Sequence, residues 1–232
     1  MSNHQSRRFL LAVSIMLCLN VSGQNDKDLG SWNGFGLKFE LSEKLDVYAE
    51  SRIRAYAFYD KFYYFEYTMR LSYSLSRMIS VAAGTGRHQT YSSEGNFMKP
   101  LESGEMRIYE EITEKHSFSR FYFDNRIRID QRFTTDGYMN RYRFKPGCSI
   151  PLNHATITPG TIFLSFWDEI FIVAEKPHLD LNRFYAGANY KFENLTIQSG
   201  WANQVSNDDL EKTRKNFFLI AFLVDIDLKK KQ

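Results

Sequence analysis

The sequence has neither long hydrophobic runs nor pairs of cysteines. No run of roughly 18 apolar residues occurs in the chain, so it holds no candidate transmembrane helix. Of the 2 cysteines among the 232 residues, Cys18 lies in a segment with the features of a targeting signal, which leaves Cys148 alone. One cysteine can form neither an intramolecular disulfide nor a cysteine-based metal cluster. We predict no metal site and no cofactor.

Common enzyme motifs are also absent from the sequence. It contains no Gly-x-Ser-x-Gly, no glycine-rich phosphate loop and no His-Glu-x-x-His. His88 precedes Ser92 and Glu94 where a predicted strand meets a loop, and these are the residue types of a Ser/His/acid hydrolase. A loop histidine beside two polar residues is more commonly solvated surface. We therefore predict no catalytic residue, and an enzyme acting on lipid or glycan is kept as an alternative.

The first 23 residues have the order of a secretory signal peptide. Two consecutive arginines give it a basic start, residues 9–19 are apolar, and small or permissive residues follow at 21–23. An apolar stretch this short does not span a bilayer as a helix. The sequence therefore predicts a signal peptide at 1–23 and one exported domain at 24–232.

The balance of charge argues against a nucleic-acid partner, and the aromatic content favours half-buried strands and a membrane–water boundary. The chain has 30 Lys and Arg against 27 Asp and Glu, and the predicted signal peptide carries two of the arginines and no acid. The exported domain is thus almost neutral, so we predict no nucleic-acid partner. The 14 Tyr and 20 Phe favour half-buried strands and the membrane–water boundary.

Strict two-residue alternation is the main structural signal in the sequence. Between Lys61 and Leu75 the odd positions are almost all apolar, and the even positions from Tyr64 onwards are mostly polar. Most segments of this kind exceed the roughly 5–6 residues of strands in soluble proteins and reach the about 9–11 residues that a tilted membrane strand needs. The sequence predicts strands at 30–41, 45–58, 62–75, 78–89, 104–115, 118–133, 138–150, 160–173, 183–193, 195–204 and 216–228.

The predicted connections and strand number describe an up-and-down barrel. The longest loops, at 90–103, 174–182 and 205–215, follow even-numbered strands and would lie at one end, as in outer-membrane barrels, while the connection at 153–159 is long for the other end. Eleven segments are found, but bacterial single-chain barrels have even strand numbers. We therefore expect an all-β, antiparallel transmembrane up-and-down β-barrel of 10 or 12 strands. Either residues 30–41 do not span fully, or one strand is merged or missed.

Alternation alone does not decide which face of the barrel points outward. In a soluble lipocalin-like barrel the apolar face points inward, so a soluble periplasmic ligand-binding barrel is an alternative. Strand length, loop asymmetry, the signal peptide and the aromatic excess favour lipid outside. We predict that Phe65, Tyr67, Met69 and Leu71 face lipid in the outer membrane of a Gram-negative bacterium, after secretion through the inner membrane. The expected partners are outer-membrane lipid and the barrel assembly machinery.

Several motifs between residues 118 and 204 occur in the order found in one bacterial family. They are Asn125-Arg-Ile-Arg-Ile-Asp-Gln-Arg-Phe133, Arg141-Tyr-Arg-Phe144, Trp167-Asp-Glu-Ile-Phe171, residues 182–192, and Gly200-Trp-Ala-Asn-Gln204. In these motifs the chain resembles an uncharacterised family of bacterial outer-membrane proteins labelled domain-of-unknown-function 2490. The resemblance implies an outer-membrane β-barrel and no known activity.

The polar faces of the predicted strands are rich in charge. If the apolar faces meet lipid, these side chains point into the barrel, where opposite charges on neighbouring strands can pair. Arg126, Arg128 and Arg132 share one face of one strand and would repel one another unless carboxylates such as Glu111 and Glu169 answer them. The predicted lumen charge network comprises Arg52, Arg54, Glu66, Arg70, Arg107, Glu111, Arg126, Arg128, Asp130, Arg132, Arg141, Arg143, Glu169 and Arg183.

Two functions fit such an interior. Paired charges can brace the wall and nearly close the lumen, because small barrels are filled by their own side chains. Excess arginine can instead form an anion-selective constriction. The sequence thus predicts an integral outer-membrane barrel that is structural or a narrow pore, and it identifies no solute.

Overall fold

The computed structural model describes residues 29–92, 96–97, 101–174, 178–207 and 212–229. The predicted signal peptide and the start of the exported domain lie outside these residues. Among the described residues there is no helix long and apolar enough to cross a membrane. The strands are β1 (Gly30–Glu40), β2 (Leu45–Ala57), β3 (Asp60–Ser74), β4 (Ile79–Tyr91), β5 (Leu101–Phe118), β6 (Phe121–Thr134), β7 (Gly137–Pro151), β8 (Ile162–Val173), β9 (His178–Lys191), β10 (Leu195–Asn207) and β11 (Lys212–Asp227).

The strands close into one barrel in chain order. Each strand pairs antiparallel with the next along the chain, and β1 pairs with β11 to complete the ring. The predicted all-β, up-and-down barrel is therefore confirmed. The shortest strand has 11 residues and the longest has 18, so the long alternating segments of the sequence do form single, uninterrupted strands.

The expected number of 10 or 12 strands is wrong, because the barrel has eleven. An even number assumes that the first and last strands meet antiparallel, whereas β1 and β11 pair in parallel from Gly30–Phe217 to Glu40–Asp227. Parallel strands also form a continuous ladder of hydrogen bonds, so an odd number closes without a gap. The segment predicted at 30–41 is a complete strand. As a result, the first and last described residues lie at opposite ends of the barrel.

The two ends of the barrel are named here after the connections they carry, the β1–β2 end and the β2–β3 end. The predicted concentration of long loops at the β2–β3 end is wrong in part. Those connections shorten to 92–100, 174–177 and 208–211, because backbone pairing continues into polar sequence, as between Ser206 and Thr213. The longest connection, at 152–161, lies at the β1–β2 end.

The barrel wall has an apolar outer face and a charged inner face. On β3, Tyr67, Met69 and Leu71 are 50%, 54% and 50% exposed, whereas Glu66, on the inner face of the same strand, is 5% exposed. Phe65 has the parity of the outer residues and is half-buried. Because side chains alternate along a strand, its apolar odd positions and its polar even positions lie on opposite faces. This orientation is the reverse of a soluble lipocalin-like barrel.

Candidate functional site

The charged residues of the predicted network converge on the interior of the barrel. Strand alternation places them on the inner face, and the register of neighbouring strands brings them within reach of one another. The buried members are Arg54, Glu66, Arg107, Glu111, Arg128, Asp130, Arg141, Arg143 and Glu169. The partly buried members are Arg52, Arg70, Arg126, Arg132 and Arg183.

Glu111 is the centre of one group of arginines. It is the register partner of Arg128 across β5 and β6, and its carboxylate lies 2.7 Å from the Arg128 guanidinium. Arg70 approaches the same carboxylate to 3.3 Å and Arg126 to 3.9 Å. The Tyr109 ring lies 4.0 Å from the Arg128 guanidinium on its other side. One carboxylate therefore pairs with three arginines, and this group has an excess of positive charge.

Glu169 and Asp130 extend this group across the barrel. The Glu169 carboxylate lies 2.5 Å from Arg126 and 2.7 Å from Arg143. Arg143 also lies 3.2 Å from Asp130, whose side chain is fully buried. Arg107 continues the series at 4.0 Å from Asp130. Alternating charges thus link the four consecutive strands β5, β6, β7 and β8 through the interior.

Glu66 is the centre of a second group, formed by side chains of β2, β3 and β4. The Tyr64 hydroxyl donates to its carboxylate at 2.5 Å, and His88 Nδ1 lies 2.9 Å away. The Arg52 guanidinium lies 3.1 Å from the carboxylate and the Arg54 guanidinium 4.0 Å. The buried carboxylate therefore has two guanidinium partners as well as a hydroxyl and an imidazole partner. These contacts offset the free-energy cost of removing the carboxylate from water.

Aromatic rings hold the arginines that have few carboxylate partners. The Arg54 guanidinium lies between the rings of Trp32 and Tyr64, 4.2 Å and 4.1 Å from their centres. The Arg183 guanidinium lies over Trp32 and Phe171, at 5.3 Å and 4.9 Å. Arg183 also donates to the Gln204 side-chain oxygen at 2.9 Å. Cation–π contacts of this kind strengthen when water is excluded, and the rings also fill the lumen.

Two interior carboxylates were missed by the sequence analysis. Glu105 contacts Arg107 and lies 2.7 Å from Arg132. It has the same parity as Arg107 within a predicted strand, and that parity could have identified it. Asp180 lies 2.8 Å from Arg141. It falls in a segment that was predicted as a loop, although Leu179 and Leu181 alternate with Asp180 and Asn182 at the start of β9 and could have extended the predicted strand.

The hydrolase arrangement considered around His88 is not supported by the position of its ring. His88 is 5% exposed inside the barrel, and its Nδ1 faces the Tyr64 hydroxyl and the Glu66 carboxylate. A substrate at the outer rim cannot reach a ring buried in this way. Glu94, the proposed acid, lies outside the described residues. Among the described residues, no group of three or more His, Cys, Asp and Glu side chains is arranged to hold a metal ion.

An open cavity occupies the interior at the β1–β2 end. It has a volume of about 590 Å³, and residues 74 and 76–82 of the β3–β4 hairpin contribute to its lining. Glu111 and Glu169 line it at the inner end, so the charged layer forms its floor. We call this cavity the vestibule. The basic side chains that reach its floor are Arg52, Arg70, Arg126 and Lys145.

Polar contacts secure the parallel seam of the barrel at the β1–β2 end. The Lys229 ammonium lies 2.9 Å from the Glu40 carboxylate, and the Leu228 N–H donates to the Glu40 carbonyl at 2.9 Å. The hydrogen bond to Glu40 raises the pKa of Lys229 above its usual value. The end of β11 is thereby held beside the end of β1.

Comparison with known proteins identifies the family but no activity. The model of the family described as "Protein of unknown function (DUF2490)" matches residues 29–214. The chain belongs to this family. The match covers β1 to β10 and the first residues of β11, and it confirms the family resemblance seen in the sequence motifs. No curated protein and no solved structure matches the chain.

Proposed function

We propose that this DUF2490 protein is an integral outer-membrane β-barrel whose interior is closed by a braced layer of arginines and carboxylates. Its role is structural, or that of a narrow pore, and not that of a wide channel. The observation that carries the proposal is the distribution of side chains, with apolar residues outside and ionic residues inside. An apolar outer face is unfavourable in water and favourable in lipid.

Apolar side chains form rows across neighbouring strands of the outer face. Ile112, Ile127, Phe144 and Ile170 are register partners on β5, β6, β7 and β8. The first three are 54%, 56% and 45% exposed. Large contiguous apolar patches are rare on monomeric soluble proteins and mark surfaces that contact a membrane or a partner. A lipid environment accounts for a row that runs around the wall.

Aromatic residues lie near both rims of the outer face. At the β1–β2 end, Tyr190 and Phe192 have ring centroids 4.5 Å apart. At the β2–β3 end, Phe58 and Tyr59 are 4.8 Å apart, and a further pair joins Phe133 with the Tyr138 ring. Outer-membrane barrels have aromatic girdles at both membrane–water interfaces. The two groups of rings thus support a spanning orientation with each end in water.

Carboxylates interrupt the apolar outer face near the middle of β5 and of β8. Glu110 accepts a hydrogen bond from the Gln131 amide at 3.4 Å, and Asp168 accepts one from the Asn182 amide at 2.8 Å. An amide partner offsets part of the cost of removing a polar group from water. Arg87, the exposed register partner of Tyr67 on β4, adds a cation to the same face. A lipid-facing wall is least favourable at these charged positions.

The first test of the proposal is the location of the protein. We expect the mature chain, beginning near Gln24, to fractionate with the outer membrane of a Gram-negative host and to require detergent for extraction. The physical reason is the exposed apolar wall, which would aggregate in water. Cell fractionation followed by an alkaline wash of the membranes measures this. A monomer recovered from the periplasm without detergent would contradict the proposal and favour the soluble alternative.

The second test is conductance in planar bilayers. Because the ionic layer and its aromatic rings fill the lumen, we expect the purified wild-type protein to show no steady conductance comparable to that of a porin. A small, anion-selective conductance would favour the narrow-pore form, since arginines outnumber carboxylates in the layer. A large and unselective channel would show that the layer does not close the barrel.

A further inference from the structure

We propose that the vestibule binds a small organic anion, held at its floor by Lys145, Arg126 and Arg70. The inference goes beyond the proposed membrane role, because it depends only on the geometry of the interior. It concerns the chemical class of a ligand, a solute with two or more carboxylate or phosphate groups, and it applies whether or not solutes cross the barrel.

The acidic groups at the floor are already engaged by arginines. Glu111 contacts Arg70 and Arg126 from the vestibule side, and Arg128 from behind. Glu169 is likewise shared between arginines, with Arg126 at 2.5 Å. The Arg126 Nε has no hydrogen-bond partner among the described residues, and the Arg70 Nε faces the Glu111 carboxylate at 3.3 Å without the geometry of a hydrogen bond. The floor therefore carries more positive charge, and more donors, than its own carboxylates satisfy.

Of the four basic side chains at the floor, Lys145 is the one without a salt bridge to a described residue. Its ammonium lies 4.3 Å from the centre of the Trp167 ring and forms no salt bridge within the described residues. Trp167 in turn stacks on Tyr185, with centroids 5.3 Å apart, so the indole is a firm support. An ammonium is strongly hydrated and favours an anionic partner when part of its water is removed. Lys145 therefore presents a ready site for the charge of a ligand.

The size and shape of the vestibule suit a small molecule and not a macromolecule. Ligand sites usually have volumes of about 300–1,000 Å³, and the vestibule has about 590 Å³. Its walls combine aromatic and hydroxyl side chains, including Tyr48, Ser72 and Trp167. Tyr48 also packs on the Arg70 guanidinium at 4.4 Å, which fixes that cation at the wall. Such a pocket can enclose the body of a solute while the floor holds its charges.

Calorimetric titration of the folded barrel in neutral detergent tests the proposal, with citrate and inorganic phosphate as probes and sucrose as an uncharged control. We expect saturable binding of citrate at low ionic strength, weakening in high salt, and no binding of sucrose. Lys145→Gln should weaken citrate binding about tenfold, the loss expected for one charge-assisted hydrogen bond. Lys145→Arg keeps the positive charge over the indole and should bind citrate more tightly than Lys145→Gln does.

Lys61→Gln is the matched control, because it removes the same charge at the opposite end of the barrel and should leave binding unchanged. Folding of each variant is checked by its heat-modifiable migration in gels. If Lys145→Gln does not fold, Ser74→Trp, which fills the vestibule from its wall, should abolish binding. Absence of saturable citrate and phosphate binding to the wild type would overturn the proposal. Equal affinities of Lys145→Gln and Lys61→Gln would also overturn it, and neither outcome would bear on membrane location.

Discussion

Replacing Met69 by Arg is expected to prevent assembly of the barrel in the outer membrane. Met69 lies two-thirds of the way along β3, on the outer face, and is 54% exposed. Its register partners on the neighbouring strands are Ala49 and Thr85, and neither can neutralise a guanidinium. Arginine on the lipid face near the bilayer midplane costs roughly 2–4 kcal/mol. The folded, heat-modifiable form in outer-membrane fractions measures the effect.

Met78→Arg is the matched control for this substitution. Met78 is also on the surface, 50% exposed, but it lies in the β3–β4 turn at the rim. The cost of a lipid-facing arginine falls to about 0–1 kcal/mol near the interface, so this variant should assemble. If Met69→Arg assembled as well as Met78→Arg, the outer face would not be in lipid at that depth, and the soluble alternative would gain support.

Glu169→Gln is expected to lower the midpoint of thermal unfolding in detergent. Glu169 is 4% exposed and contacts Arg126 and Arg143 at 2.5 Å and 2.7 Å. Glutamine keeps the shape of the side chain but removes its charge, which leaves two arginines under-compensated in a confined space. Loss of one partner of a buried ion pair costs on the order of 3–5 kcal/mol. For a protein of this size, that corresponds to a decrease of about 6–20 °C.

Glu110→Gln gives the comparison that isolates the interior network. Glu110 is exposed on the outer face and makes one hydrogen bond of 3.4 Å, so its change of charge should have little effect on the midpoint. Any residual conductance of Glu169→Gln should become more anion-selective, since a carboxylate is removed from the lumen. Equal midpoints for Glu169→Gln and the wild type would show that Glu169 does not brace the barrel.

Which residues share a face of the wall could be predicted from the sequence because the cause is local. Successive side chains of a strand point to opposite faces, so the alternation from Phe65 to Leu71 already assigns one face to apolar residues. The same rule placed Arg126, Arg128 and Arg132 on one face of one strand. Because three neighbouring guanidinium groups repel one another, it also predicted carboxylates on the adjacent strands. The family resemblance added the expectation of a barrel, and the strand segments read from the alternation correspond to the strands of the structure.

The closure of the barrel and the partners of each charge were decided only by the tertiary structure. Pairing of Gly30 with Phe217 joins residues at opposite ends of the chain, and no local pattern distinguishes a parallel closing pair from an antiparallel one. Curvature of the wall likewise brings Glu169 to Arg126, 43 positions away, and leaves the Lys145 ammonium over an indole. Which faces a strand presents follows from the period of the backbone. Which strands pair, and where the interior keeps an open cavity, depends on how the eleven strands curve together into a barrel.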